Sequence, residues 1–397
     1  MPLNVPQRRP FYVIAHNPNE LADVAAYLDA GANALEPDVC FVPGRPETYY
    51  VAHDHTPFST PFTAAHSLRA YLQGLRALMT PNADGKRRGG HLALIAFDYK
   101  DADRGGDINA LMQIVHDEFS SHPACAGVAI LVTVSERSHA SFLGAWAQGR
   151  SDAGVGIDED DDPTAAIDAL RQAGQRHVAY ANGVMKFSPT QVYSSLGAAK
   201  ALQARSADGG APRLVYTWVL ERADTLRAYL ELGLDGVIVD LATVPCLLAI
   251  LEEPRYRQMY ALAPNGHNPW DAPALPQYAL TVHTADRALA GTDVRLRFTL
   301  TGSLGSVERV IDGVRSHMFE RGSVNGFSLD GVDVGQVQSV SVEALDDGLA
   351  AAWLPQRIEV NGRSLTTPSC VEFGAEDWVR RGTPITKSPS PADCGAA

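Results

Sequence analysis

The chain has 397 residues, of which 45% are hydrophobic and 20% charged, a globular composition long enough for two domains. Its 33 lysines and arginines stand against 46 aspartates and glutamates, a formal charge of −13. That excess argues against a nucleic-acid partner, which would want a basic face, and leaves the attraction of any anionic substrate to local cations.

No apolar run is long enough to suggest a membrane-spanning helix. Cys40, Cys125, Cys246, Cys370 and Cys394 are scattered without metal-ligand spacing, and an odd set cannot all pair within one chain. Residues 1–10 carry two arginines and no apolar core, so no signal peptide is expected within the sequence as it stands.

In chain order, residues 11–15 form an apolar run that stops at His16. Leu21, Val24, Ala25 and Leu28 follow at helical spacing, Gly31 ends that segment, and a second run, 34–39, carries Glu36 and Asp38. Strand, helix and strand in so short a stretch predict the βαβ unit of a parallel sheet. A short apolar piece, 48–52, ends at His53, with His55 two further on. Residues 67–78 read as a helix, and 92–97 as a buried strand that stops at Asp98, with Lys100 two beyond it.

The format repeats. Helices are expected at 108–119, 142–148, 165–173, 191–204 and 226–232, and strands at 128–134, 154–157, 177–180, 214–219 and 236–239. The strand at 214–219 holds Tyr216 and Trp218; the one at 236–239 ends at Asp240. With 48–52 set aside as a hairpin partner of the strand before it, the remaining strands number the eight of a (β/α)8 TIM barrel, an α/β fold of about 250 residues. The acidic run at 158–162 precedes Pro163 and reads as helix caps and dipole partners.

Residues 263–276 shift to proline, asparagine and glycine, predicting a linker after a barrel over 1–262. Beyond it the apolar residues alternate, and 278–283, 294–301, 307–311, 339–343 and 357–360 read as strands of an all-β sandwich over 277–387. Residues 388–397, small and proline-rich, are expected to be a disordered tail.

The chemistry sits at the strand ends. His16 closes one strand, and Glu36 and Asp38, two apart on the next, point to one face. Buried acids without partners cost several kcal/mol each, roughly, so such a set is expected to hold a metal. Hard oxygen ligands such as Glu36 and Asp38 suit Mg²⁺ or Ca²⁺, and the absence of cysteine disfavours Zn²⁺. Tyr216 and Trp218, also two apart, read either as barrel core or as an aromatic wall for an apolar or choline-like group.

Several of these stretches together resemble a known family. They are Ile14-Ala15-His16, the segment from Gly31 to Val39, Tyr50 to His53, Phe97-Asp98-Tyr99-Lys100, Val215-Tyr216-Thr217-Trp218 and Gly233-Leu234-Asp235-Gly236-Val237. The barrel resembles the sphingomyelinase D / phospholipase D family, a branch of the glycerophosphodiester phosphodiesterase-like barrels. It departs from the family at Pro37, where threonine is usual, at Asp240, often asparagine, and in lacking the cysteine-bridged loop after the second histidine. Asn17-Pro18 stands where the parent diesterases carry Arg-Gly. The second domain is similar to PLAT domains, on residues 278–284, 290–293 and 319–323 and on Trp353 before 358–360.

The resemblance implies that Glu36, Asp38 and Asp98 bind Mg²⁺, with Ca²⁺ the other candidate, that His16 is nucleophile or base, and that His53 is general acid. His55 is the rival for that last role. Lys100, Tyr216, Trp218 and Asp240 would bind substrate. The activity implied is that of a secreted, metal-dependent phospholipase D. It would act on sphingomyelin, lysophospholipids or related phospholipids, releasing the head-group alcohol, with a cyclic phosphate where a hydroxyl neighbours the phosphate. The PLAT-like domain would dock on a membrane or lipid surface. The alternatives are a glycerophosphodiester phosphodiesterase for soluble diesters and a non-catalytic lipid-binding barrel.

Overall fold

The structure, a computed structural model, describes residues 8–45, 47–53, 66–143, 153–159, 162–183, 196–207, 211–271, 278–313, 318–329, 334–346, 352–362 and 369–389. His55, most of the helix expected at 142–148, the linker's end and nearly all of the tail lie outside these residues.

Strands and helices alternate through the first two thirds. The strands are β1 (Arg9–His16), β2 (Ala34–Glu36), β3 (Asp38–Phe41), β4 (Tyr49–Val51), β5 (Leu94–Tyr99), β6 (Ala129–Val134), β7 (Ala153–Ile157), β8 (Val178–Gly183), β9 (Leu214–Trp218), β10 (Gly236–Val239) and β11 (Tyr260–Leu262). The helices are α1 (Leu21–Ala30), α2 (Leu68–Met79), α3 (Ile108–Val115), α4 (Pro163–Gln172), α5 (Leu196–Ala207), α6 (Ala223–Leu232), α7 (Val244–Leu251) and α8 (Pro254–Met259).

Parallel pairing runs β1-β2-β5-β6-β7-β8-β9-β10 and returns to β1, closing an eight-stranded barrel. The second barrel strand is broken at Pro37 into β2 and β3, since proline has no N–H to give a ladder. β3 stays paired with β5, Asp38 beside Asp98, and the antiparallel β4 hairpins onto it as expected.

Alternation along each strand sorts the side chains into two layers. Phe11, Val13 and Ala15 of β1 pack outward under the helices, while Tyr12 and Ile14 face inward; Ile95 and Phe97 of β5 point out, Leu94 and Ala96 in. The inner layer is rich in alanine, which lets eight strands close tightly. Helix ends follow their caps: Ser67 Oγ accepts from Ala70 N at 3.2 Å, Asp162 from Ala165 N, and Gly31, at φ 101°, ends α1.

The barrel floor is sealed by charge and by chain. Asp235, just before β10, takes Arg205 Nη1 at 3.0 Å and Val215 N at 2.7 Å, while Arg205 Nε donates to Pro212 O at 2.7 Å. Residues 263–271, the described part of the expected linker, lie across this floor. Asn33 holds Ala263 O at 2.9 Å, Asn265 Nδ2 reaches Leu92 O at 2.7 Å, and Trp270 is buried against Gly154.

The second domain is a sandwich of two antiparallel four-stranded sheets. One has the order β15 (Val324–Leu329), β12 (Tyr278–Thr284), β17 (Pro355–Gly362), β18 (Ser369–Glu372); the other has β14 (Gly305–Asp312), β13 (Arg295–Gly302), β16 (Val337–Ala344), β19 (Ile385–Lys387). Phe298, Phe319, Phe327 and Trp353 meet in its core. It packs on the barrel flank at α5 and α6, where buried Glu231 of α6 accepts from Tyr256 Oη at 2.8 Å and from Arg309 of β14 at 3.1 Å. Among the described residues no helix is long and apolar enough to cross a membrane.

Candidate active site

The inward series of each strand ends in chemistry. His16 continues Tyr12 and Ile14 on β1, Asp98 continues Leu94 and Ala96 on β5, and Asp240 follows Gly236 and Ile238 on β10. Register makes them neighbours: His16 pairs with Glu36, and Asp38 with Asp98. Candidate ligand oxygens of Glu36, Asp38 and Asp98 all lie within 4.8 Å of one another, and all three residues are buried. The expected acidic set is therefore one cluster at the carboxyl end of the barrel, where TIM barrels place their active sites.

The cluster is short of positive charge. Lys100 Nζ donates to Asp98 Oδ2 and lies 3.2 Å from Asp38 Oδ1, so that a single ammonium bridges two of the three acids. Burial works to lower its pKa, but Asp98, Asp38 and Glu36 together outweigh that and hold the ammonium charged. Burial and the charge of Asp38 push Glu36 well above the usual carboxylate range, with Lys100 and the Asn17 N–H opposing. Burial likewise raises Asp98.

Two oxygens decide what the cluster can hold. Asp38 Oδ1 and Asp98 Oδ1 are buried and accept no hydrogen bond from any described residue; Asp38 Oδ1 has the Lys100 ammonium 3.2 Å away, and Asp98 Oδ1 has no such contact among the described residues. Buried carboxylate oxygens left unpaired cost free energy unless a cation takes them. Three acids offering hard oxygens, with no sulfur or imidazole among them, fit a Mg²⁺- or Ca²⁺-sized ion.

The histidines are placed differently. His16 Nδ1 lies 2.7 Å from Asp240 Oδ1, so a carboxylate accepts its proton there and Nε2 is the nitrogen left for substrate. Tyr27 Oη donates to His16 O at 3.1 Å. Asp240, expected in the pocket as a substrate contact, thus has His16 as a partner. His53 is exposed, one residue beyond Ala52, whose N–H bonds Asp38 O at 3.2 Å.

Tyr216 belongs to the buried inner layer, and Trp218, partly exposed above it, donates from Nε1 to Asp158 O at 2.7 Å. Asp158 corrects the reading of the acidic run. Asp162 does cap α4, with Pro163 at its first turn, but Asp158 is a strand-end residue, buried, with Oδ1 accepting from no described residue. Burial, then Asp98, raise its pKa well above normal, while Lys100 opposes. The signal for it was in the chain: Asp158 directly follows the short apolar strand, as Asp98 follows its own. Asn17 and Asn19, which hold the acids from outside, carried no signal beyond their position after His16.

The family profile described as dermonecrotic toxin SPH matches residues 6–270, and the PLAT/LH2 domain profile matches residues 278–387. A dermonecrotic toxin of Loxosceles laeta is 27% identical over 285 residues, covering 66% of this chain and 89% of the toxin. One from Loxosceles hirsuta is 25% identical over 279 residues, covering 66% of this chain and 99% of the toxin. Among solved structures, a glycerophosphodiester phosphodiesterase from Parabacteroides distasonis is 14% identical with a TM-score of 0.43, covering 62% of this chain and 100% of that one.

Proposed function

The chain belongs to the dermonecrotic toxin SPH family and is a phospholipase D-type phosphodiesterase, and on that premise we propose that it releases the head-group alcohol from lipids with a free hydroxyl beside the phosphodiester, sphingomyelin and lysophospholipids foremost. Support comes from one observation above the rest: the carboxylate-held His16 stands beside a buried acid cluster in which Asp98 Oδ1 accepts from no described residue and Asp38 Oδ1 has Lys100 Nζ 3.2 Å away but no hydrogen bond.

Glu36, Asp38 and Asp98 would hold the divalent ion, Mg²⁺ before Ca²⁺. Such an ion, when bound, supplies positive charge against the phosphodiester oxygens. Lys100 adds a second charge to the same oxygens. His16 Nε2, its other nitrogen fixed by Asp240, takes the proton from the lipid hydroxyl. That oxygen bonds to phosphorus while the bond to the head-group oxygen breaks, and His53 gives the departing alcohol its proton. Each proton transfer contributes roughly 10²–10⁴-fold. Tethering of the hydroxyl is worth up to about 7–11 kcal/mol over attack by a separate molecule. Of the two aromatics, Trp218, partly exposed, would face a cationic head group, while Tyr216 is buried in the inner layer. The PLAT-matching sandwich would attach the enzyme to a lipid surface, and a secreted enzyme would meet such surfaces outside the cell.

Phosphorus NMR of early reaction mixtures with sphingomyelin and with lysophosphatidylcholine tests this. A cyclic diester signal together with free choline is the expected result. A linear monoester from the earliest times would make water the acceptor and the enzyme a hydrolase of the glycerophosphodiesterase kind.

A further inference from the structure

The turn after β1 does more than leave the strand. Asn17 sits at φ 47°, a left-handed conformation that residues other than glycine seldom adopt. That twist aims its backbone N–H at Glu36 Oε2, 3.0 Å away. With its amide nitrogen turned toward the acids, Asn17 also donates to Glu36 Oε2 at 3.2 Å and to Asp38 Oδ2 at 3.1 Å. Asn19 forms a closed pair with Asp38: its Nδ2 donates to Oδ2 at 2.7 Å, and its Oδ1 accepts from the Asp38 N–H at 3.0 Å. The hook is fixed at both ends, by Asn19 N on Asn17 O at 2.7 Å and by buried Tyr71 of α2, which donates to Pro18 O at 2.9 Å.

Every bond that Asn17 and Asn19 donate to the acids falls on an outer oxygen, Oε2 of Glu36 or Oδ2 of Asp38. Asp38 Oδ1, on the inner side with Lys100 Nζ 3.2 Å away, accepts no hydrogen bond from any described residue. A carboxylate whose outer oxygen is tied down cannot rotate, so its inner oxygen is presented in a fixed direction before any ion arrives. We propose that the Asn17–Pro18–Asn19 hook is a positioning device for the metal site, with Asn19 orienting Asp38 and the left-handed Asn17 orienting Glu36. Neither asparagine coordinates the ion or touches substrate. The inference rests on the reading of the acid cluster as a metal site.

The test is Mn²⁺ titration of the metal-stripped full chain, followed by electron paramagnetic resonance, with thermal unfolding of the same metal-free samples. Asn19→Ala should weaken Mn²⁺ binding by about 10- to 100-fold, with metal-free unfolding close to the parent. Asn17→Gly keeps the backbone donor in its twist, whereas Asn17→Ala disfavours it, so the glycine variant should bind Mn²⁺ more tightly than the alanine variant. Parent-like affinity in Asn19→Ala, or a fall in melting temperature with affinity unchanged, overturns the positioning role while leaving the metal site standing. Equal affinity of the two Asn17 variants overturns the part given to the left-handed turn. Failure of the parent chain itself to bind Mn²⁺ removes the metal reading underneath.

Discussion

The two ends of the barrel both bury carboxylates, and they treat them in opposite ways. At the floor, Asp235 meets Arg205 on both oxygens and the Val215 N–H on one, with Arg9 Nη1 3.7 Å from Oδ1. At the mouth, Lys100 pairs with Asp98 and Asp38 and only its field reaches Glu36 and Asp158, and Asp38, Asp98 and Asp158 each keep one oxygen that accepts no hydrogen bond from a described residue, that of Asp38 having Lys100 Nζ 3.2 Å away. A carboxylate with both oxygens answered by the chain has a structural role that is complete. One answered on a single side is built to be completed by something from outside. Burial alone does not separate the two cases; the accounting of lone pairs does.

Removing charge from each end should break the comparison along different axes. The largest effect is expected at the mouth. Glu36→Gln, Asp38→Asn or Asp98→Asn should each lower choline release from lysophosphatidylcholine by about 10³-fold or more, since an ion's charge stabilisation of several kcal/mol goes with the ligand. Circular dichroism of these variants should match the parent. Full activity in two of the three would remove the cluster from the mechanism.

At the floor the loss should be of stability. Arg205→Met leaves Asp235 buried without its main partner, and breaking a buried pair in this way costs about 3–5 kcal/mol. Urea unfolding should show that loss, while turnover per folded molecule stays at the parent level. A fall in turnover with stability unchanged would mean that the floor is coupled to the chemistry after all.

The smallest effect concerns Asp158. Its carboxyl is raised in the folded chain by burial and by Asp98, so the folded state binds its proton more tightly than the unfolded state does. That contribution to stability is fully present below the unfolded pKa, about 3.9, and is lost as pH rises through the raised folded value. Asp158→Asn cannot titrate. Its melting temperature relative to the metal-free parent should therefore climb as pH rises above the unfolded value, and a flat difference would show that Asp158 carries no raised pKa.

Much of the mouth was legible in the sequence because strand parity and position at a strand end are one-dimensional signals. Apolar strands stopping at His16, Asp98 and Asp240, and Glu36 and Asp38 two apart, suffice to place those side chains on one inner face. The floor was not legible. Asp235 and Arg205 are 30 residues apart and meet only because the barrel closes, so no local pattern announces them. The role of Asn17 was hidden for another reason: a left-handed turn shows in φ, not in composition. β15 was overlooked because Asn325 and Gly326 look like a turn, yet pairing with β12 through Tyr278 to His283 overrides that local preference.

The most direct measurement compares the two ends in one experiment. The metal-stripped parent, Asp38→Asn and Asp235→Asn are each titrated with Mn²⁺ at neutral pH, and bound ion is counted per chain. One ion on the parent, none on Asp38→Asn, and one on whatever fraction of Asp235→Asn remains folded is the expected result. An Asp38→Asn chain that binds Mn²⁺ as the parent does, or a parent that binds none, would contradict the claim that the unanswered oxygens at the barrel mouth are a metal site.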